Sequence, residues 1–298
     1  MRLLFTGIGI LWTVICVVRI ALATEDMDAF NAQNLQVVLW INLGSAFIAL
    51  ASLILIVSFY MRLLPPMNVI VTTVVSTAMT FGYLVTWLAF GANLGLSAVL
   101  NYVDLSHTRG GLLPYIFFDC ILICVQFAMI AREASWFMLQ DRARMDQMEQ
   151  GHPLSTIINS VLLLAIVASI TQMVKIVFIV TYWPLTNDAV LVLGIIAAIL
   201  TICNLVVCYT HHIFMAKDIV QGTAMIVLFS LAHLVVWAAM GSSILMMDLE
   251  SMESYQQLFV FDVGTAIAQT VMLTLLQYLG YNLYIVLNHT LIPVTTDE

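Results

Sequence analysis

Three ionisable side chains stand inside apolar runs, where a charge is costly unless something compensates it. Asp262 lies in LFVFDVGTAIAQTVMLTLL (258–276), Asp119 in PYIFFDCILICVQ (114–126) and His233 in VLFSLAHLVVWAAMG (227–241). Ionisable groups at membrane depth face the interior of a bundle, find partners and mark functional sites. Helical spacing extends each of them into a polar stripe. Asp262 continues into Thr265, Gln269, Gln277, Tyr281 and Tyr284. Asp119 lies on a stripe with Tyr115 and Gln126, and His233 with Ser230 and Trp237. Elsewhere Thr201, Asn204 and Cys208, Gln172 and Lys175, and Thr73, Thr77, Thr80, Tyr83 and Trp87 repeat the pattern. Neutral polar groups of this kind also serve as interhelical glue, at about 0.6 kcal/mol per hydrogen bond. Carboxylates are poorer glue, so Asp119, Asp262 and His233 are the expected site, a ligand-binding or proton-relay cluster, with Trp237, Tyr83 and Gln269 around it. Arg19 and Lys175 fall near the outer ends of their segments, where long basic side chains are expected to snorkel to the interface.

The elements that must position these residues follow from composition. The chain has 298 residues, 62% hydrophobic and 9% charged, and a mean hydropathy of +1.05, against about 25% charged residues in ordinary soluble domains. A membrane-spanning helix needs roughly 20 apolar residues. Such runs occur at about 3–22, 36–60, 67–92, 112–131, 154–182, 187–210, 219–246 and 257–286. An eight-span helical protein of the lipid bilayer is expected. Lys and Arg collect in cytoplasmic loops. Placing Arg2, Arg62, Arg132, Arg142, Arg144 and Lys217 inside and Arg109 outside makes both termini cytoplasmic. The kind of membrane is left open, and the net charge of −8 points to no nucleic-acid partner.

Residues 1–23 also read as a secretory signal ending in Ala21-Leu22-Ala23, although retention as a helix is the expectation. All five cysteines lie in apolar segments, which suggests no disulfide framework, and Cys120 and Cys124, four residues apart, are expected to be small apolar packing residues rather than metal ligands. The connector 132–153 mixes both signs of charge with Trp136 and Phe137. It is expected to extend the fourth helix beyond the membrane until Gly151 and Pro153 end it, and it is the candidate docking surface for a cytoplasmic partner. No internal repeat stands out. No Gly-rich phosphate loop, zinc-type histidine spacing or nucleophile elbow appears, so no enzyme is expected.

Several of these segments resemble the microbial rhodopsin family. LFVFDVGTA (258–266) is similar to its last-helix signature, HLVVWAAMG (233–241) to the end of its sixth helix, GYLVTWLAFG (82–91) to its second and PYIFFD (114–119) to its third. The resemblance implies an all-α, seven-helix rhodopsin-like membrane domain over 35–298, preceded by an extra transmembrane helix with its outer loop at 1–34, as in enzyme-coupled rhodopsins. It also implies that the polar faces meet in one cavity. Two departures stand out. The retinal lysine position falls on Ala266, so no Schiff base and no covalent retinal are expected. The counterion position falls on Thr108, or on Asp104 in another register.

The expected function is a rhodopsin-like sensory or regulatory module that binds a small apolar ligand or a partner without covalent retinal. The alternatives are a proton or ion transporter or channel using the Asp/His cluster, and a structural subunit of a membrane complex, homo- or hetero-oligomeric.

Overall fold

The computed structural model describes residues 2–32, 35–60, 69–99, 113–141, 152–182, 187–209, 219–250 and 253–290. The described residues form nine helices: α1 (Arg2–Glu25), α2 (Met27–Ala32), α3 (Gln36–Tyr60), α4 (Val69–Val99), α5 (Leu113–Asp141), α6 (His152–Tyr182), α7 (Asp188–Tyr209), α8 (Ile219–Glu250) and α9 (Glu253–Thr290). Seven of them are long and apolar enough to cross a membrane: α1, α3, α4, α6, α7, α8 and α9. These make the chain a multi-pass integral membrane protein by length and composition. In α5 the apolar part, Leu113–Ala128, is shorter. The helix continues to Asp141, so the expected extension at 132–141 is present, and residues 142–151 lie outside the described residues. Pro153 does not end a helix, as expected from sequence, but lies in the first turn of α6. There its missing N–H would have had no intrahelical partner anyway.

Local chemistry sets the ends that are described. Asn187 caps α7, its Oδ1 accepting from the Ala189 N–H at 2.8 Å, while its own N–H donates to the Tyr255 hydroxyl at 2.9 Å. Between α1 and α2, Asp26 accepts from the Tyr115 hydroxyl at 3.0 Å, tying this corner to the start of α5. Helix α1 is an integral part of the bundle: it packs on α3 and α5, with Trp12, Cys16 and Arg19 fully buried. The other described cysteines, Cys120, Cys124 and Cys203, are exposed instead of serving as packing residues.

The packing reveals an internal repeat that the sequence reading missed. Exchanging α1 with α6, α3 with α7, α4 with α8 and α5 with α9 maps every pair of neighbouring long helices onto another such pair; only the short α2 has no counterpart. Thus α1 touches α3 as α6 touches α7, α5 touches α8 as α9 touches α4, and α4 touches α8 as its own mate.

Residues confirm the correspondence. Leu84, Val85, Trp87, Ala89 and Gly91 of α4 each recur 150 positions later as Leu234, Val235, Trp237, Ala239 and Gly241 of α8. Phe118, Asp119 and Gln126 of α5 recur 143 positions later as Phe261, Asp262 and Gln269 of α9.

The pseudo-twofold axis runs between α4 and α8. A Cβ on Gly91 would come within 1.9 Å of the Ala238 carbonyl oxygen, and a Cβ on Gly241 within 2.0 Å of the Leu88 carbonyl oxygen. Leu88 and Ala238 are themselves equivalent in the 150-residue register. Small residues let membrane helices approach backbone to backbone, and Ala89, Ala92, Ala238 and Ala239, all buried, line the same seam.

Candidate functional site

In each repeat a buried carboxylate on the fourth helix faces a buried basic residue on the first. In the first repeat, Arg19 Nη2 of α1 stands 2.9 Å from Asp119 Oδ1 of α5, with both side chains fully buried. This contact is ionic rather than a well-aligned hydrogen bond. The same nitrogen donates to Ser45 Oγ at 3.0 Å and to Asn42 Oδ1 at 3.3 Å, both on α3. Asn93 of α4 donates to Asp119 Oδ2 at 2.7 Å and forms a reciprocal amide pair with Asn42, at 2.9 and 3.0 Å. The remaining Asn42 amide proton goes to the Val38 carbonyl. All four long helices of the repeat contribute.

In the second repeat, Lys175 Nζ of α6 donates to Asp262 Oδ1 of α9 at 2.5 Å. Gln172, one turn earlier on α6, donates through Nε2 to Thr265 Oγ1 at 2.8 Å and reaches Asp262 Oδ1 at 3.4 Å. Two turns along α9 from Asp262, about 10 Å at 1.5 Å per residue, Gln269 donates to Thr201 Oγ1 of α7 at 3.4 Å. Asn204, also of α7, donates to the Phe229 carbonyl of α8 at 3.2 Å. His233 completes the column: its Nδ1 lies 2.7 Å from the Phe229 carbonyl and its Nε2 3.0 Å from the Gln269 carbonyl. Carbonyls only accept, and a neutral imidazole carries a single N–H. Both contacts are hydrogen bonds only when the ring holds two protons.

These partners correct the expectation that Arg19 and Lys175 snorkel. Both side chains are buried and face carboxylates. The physical reason is that an unpaired carboxylate at this depth costs several kcal/mol, and a buried cation on a neighbouring helix removes that cost.

Asp119 and Asp262 do not share one cluster, since each belongs to its own repeat. Of the residues expected around the site, Gln269 joins His233 and the Asp262 column. Tyr83 packs instead on Trp12, with ring centroids 5.6 Å apart, and Trp237 meets Phe81 edge-on at 5.4 Å. Ala266 is buried in the same apolar core cluster as Ala197 and Leu193. Thr108 lies outside the described residues. Sequence reasoning passed over Asn42, Ser45 and Asn93. Their signal was three buried-type polar residues on helices whose neighbours carry Arg19 and Asp119.

The two polar clusters differ in what they leave unmatched. In the first repeat Arg19 Nε and Nη1, Asp119 Oδ1 and Gln126 Oε1 lack hydrogen-bond partners; in the second, Gln172 Oε1, Asn204 Oδ1, Asp262 Oδ2 and Gln269 Oε1 do. Reversing the amides of the second repeat does not help. Thr265 Oγ1 already donates its proton to the Phe261 carbonyl and Thr201 Oγ1 to the Ala197 carbonyl, while Asn204 faces a carbonyl. Each acceptor requires the amide nitrogen, so the amide oxygen must point elsewhere. Four oxygens of the second repeat's polar groups thus accept no hydrogen bond from the described residues.

No protein-family model, curated protein or solved structure matches the chain.

Proposed function

We propose that this protein is a proton- or ion-translocating membrane carrier built as two parallel four-span repeats, with the polar column of the second repeat as its pathway. The single observation that carries this reading is the succession along α9 of two buried polar groups, Lys175, Asp262, Gln172 and Thr265 in one and Gln269, Thr201, Asn204 and His233 two turns further, with unpartnered oxygens in both. A purely structural polar core would match its own donors and acceptors, because unmatched buried groups cost about 1–3 kcal/mol each. A pathway leaves them open for what moves.

The repeat supports α5 as an eighth span, since its mate α9 is one. Four spans per repeat make both repeats enter the membrane from the same side, the parallel arrangement known among transporter folds, and keep both termini cytoplasmic. Purified protein in liposomes should carry protons across the membrane under an imposed pH gradient, and Asp262→Asn should abolish that flux while preserving the folded protein. Liposomes no leakier to protons or alkali ions with the protein than without it would end the carrier reading.

A second reading, the ligand-responsive rhodopsin-like module, is favoured by an open apolar groove lined by Ile48, Leu55, Val74 and Phe81 with Thr77 and Thr274. Under that reading a small apolar ligand alters the protein without any flux.

A further inference from the structure

We infer that the groove between α3, α4 and α9 binds a neutral lipid that carries a hydroxyl or carbonyl on an apolar chain. The inference takes up the groove on which the second, ligand-responsive reading rests and names its occupant.

The groove has a volume of about 490 Å³, within the roughly 300–1,000 Å³ of small-molecule sites. Helices α3 and α4 of the first repeat and Thr274 of the second line it, so an occupant sits where the two halves meet. It opens on the outer surface of the bundle, where Ile48, Val74 and Phe81 are exposed and where a bilayer supplies the occupants. Among the described residues that line it none is charged. An unpaired charge at membrane depth is costly, so the part of the occupant inside the groove is neutral.

The apolar lining selects a hydrocarbon body, and its hydroxyls select the polar group. Thr86, Thr201, Thr265 and Thr270 each donate to the carbonyl four residues earlier, the usual local partner of a helical threonine. Thr73 lines the groove and is buried, yet its hydroxyl has no hydrogen-bond partner among the described residues. A hydrocarbon chain alone leaves that group unmatched, which is costly when buried; a lipid hydroxyl or carbonyl supplies the partner. One turn along α4, Thr77 Oγ1 lies 3.5 Å from Thr274 Oγ1 and carries the polar strip across to α9. The duplication provides an internal control. Helices α3 and α7 share the 150-residue register through Gly44 with Gly194 and Leu55 with Leu205. In these registers Ser52, Thr77 and Thr274 fall on Ile202, Val227 and Ala131, and only Thr73 keeps a hydroxyl counterpart, Thr223. The fold does not require the strip, because the other half is built without most of it.

The test uses the full chain in liposomes, with hexadecanol bearing a photoreactive diazirine in its chain as the probe and the equivalent hexadecane as the control. Hexadecanol should label residues 48–55 and 73–81 more heavily than other outward-facing segments such as 163–180 of α6, and an excess of unlabelled hexadecanol should remove the difference. Thr73→Val keeps the shape and should cut this labelling about fivefold, the factor expected for one hydrogen bond. Ala78→Trp fills the groove from an exposed position and should abolish it, and Ala51→Leu, also at an exposed lining position, covers the case in which the tryptophan variant does not fold. Even labelling of every outward-facing helix means annular lipid only and overturns the site. Hexadecane labelling as strong as that of hexadecanol, or labelling by hexadecanol that survives Thr73→Val undiminished, overturns it too. Hexadecanol held in the groove of a protein that carries protons supports the site and ends the ligand-responsive reading, whereas diffuse labelling of a protein that carries none overturns the site and leaves that reading standing.

Discussion

Arg19 with Asp119 and Lys175 with Asp262 occupy equivalent places in two related half-bundles, yet they are built for opposite ends. In the first half, asparagines on α3 and α4 engage one another and the carboxylate, and the cation can never lose its proton. In the second, the amides of Gln172, Asn204 and Gln269 leave their oxygens without hydrogen-bond partners. The difference teaches that a duplicated ion pair can keep its position while its surroundings change its use. Under the carrier reading one copy locks helices together and the other lines the pathway.

The sharpest way to break this comparison is to remove the cation from each half in turn. Arg19→Ala leaves Asp119 buried beside two asparagines and should cost about 3–5 kcal/mol, seen as loss of monodisperse protein on size exclusion and a large fall in melting temperature. Lys175→Ala should cost clearly less under the carrier reading, in which the Asp262 carboxylate takes up what is carried. Equal losses in the two variants would make both pairs structural and erase the distinction.

At the pseudo-twofold axis the halves should instead behave alike. Gly91→Ala and Gly241→Ala each drive a methyl group into a backbone carbonyl. Each should destabilise by about 1–3 kcal/mol, the usual range for overpacking, with the two melting temperatures falling by similar amounts. Unequal effects would show that the seam is not symmetric in energy.

A smaller effect separates the equivalent glutamines. Gln126 donates to Thr86 Oγ1 at 3.0 Å, and Gln269 donates to Thr201 Oγ1 at 3.4 Å beside His233. Leucine at either position removes one hydrogen bond, worth about 1 kcal/mol net. Only Gln269→Leu should reduce proton flux in liposomes; an equal reduction in Gln126→Leu would extend the pathway into the first half.

The smallest expected change in stability is that of His233→Gln. Its amide can donate to one of the two carbonyls that the ring faces, so stability should shift by about 1 kcal/mol or less. The proton dependence of flux should flatten in this variant, measured as rate against pH. An unaltered pH profile would place His233 outside the path.

Composition and spacing were enough to read a helical membrane protein and to put Asp119, Asp262, Gln269 and His233 on inward faces. Those properties are local: 3.6 residues per turn and about 20 apolar residues per crossing are written in consecutive positions. The tertiary structure alone decided which cation answers which carboxylate, because Arg19 and Asp119 are separated by 100 positions of sequence and Lys175 and Asp262 by 87. Helical spacing gives the face of a helix and never its neighbour. The repeat escaped notice for a related reason. Lipid-facing and core positions accept almost any apolar side chain, so the two halves retain identity only where geometry demands it: the glycines where α4 meets α8, the tryptophan one turn before each, and the aspartate and glutamine two turns apart on α5 and α9. Those few positions are too scattered to announce a duplication in one dimension, and only the paired contacts of the folded chain bring them into register.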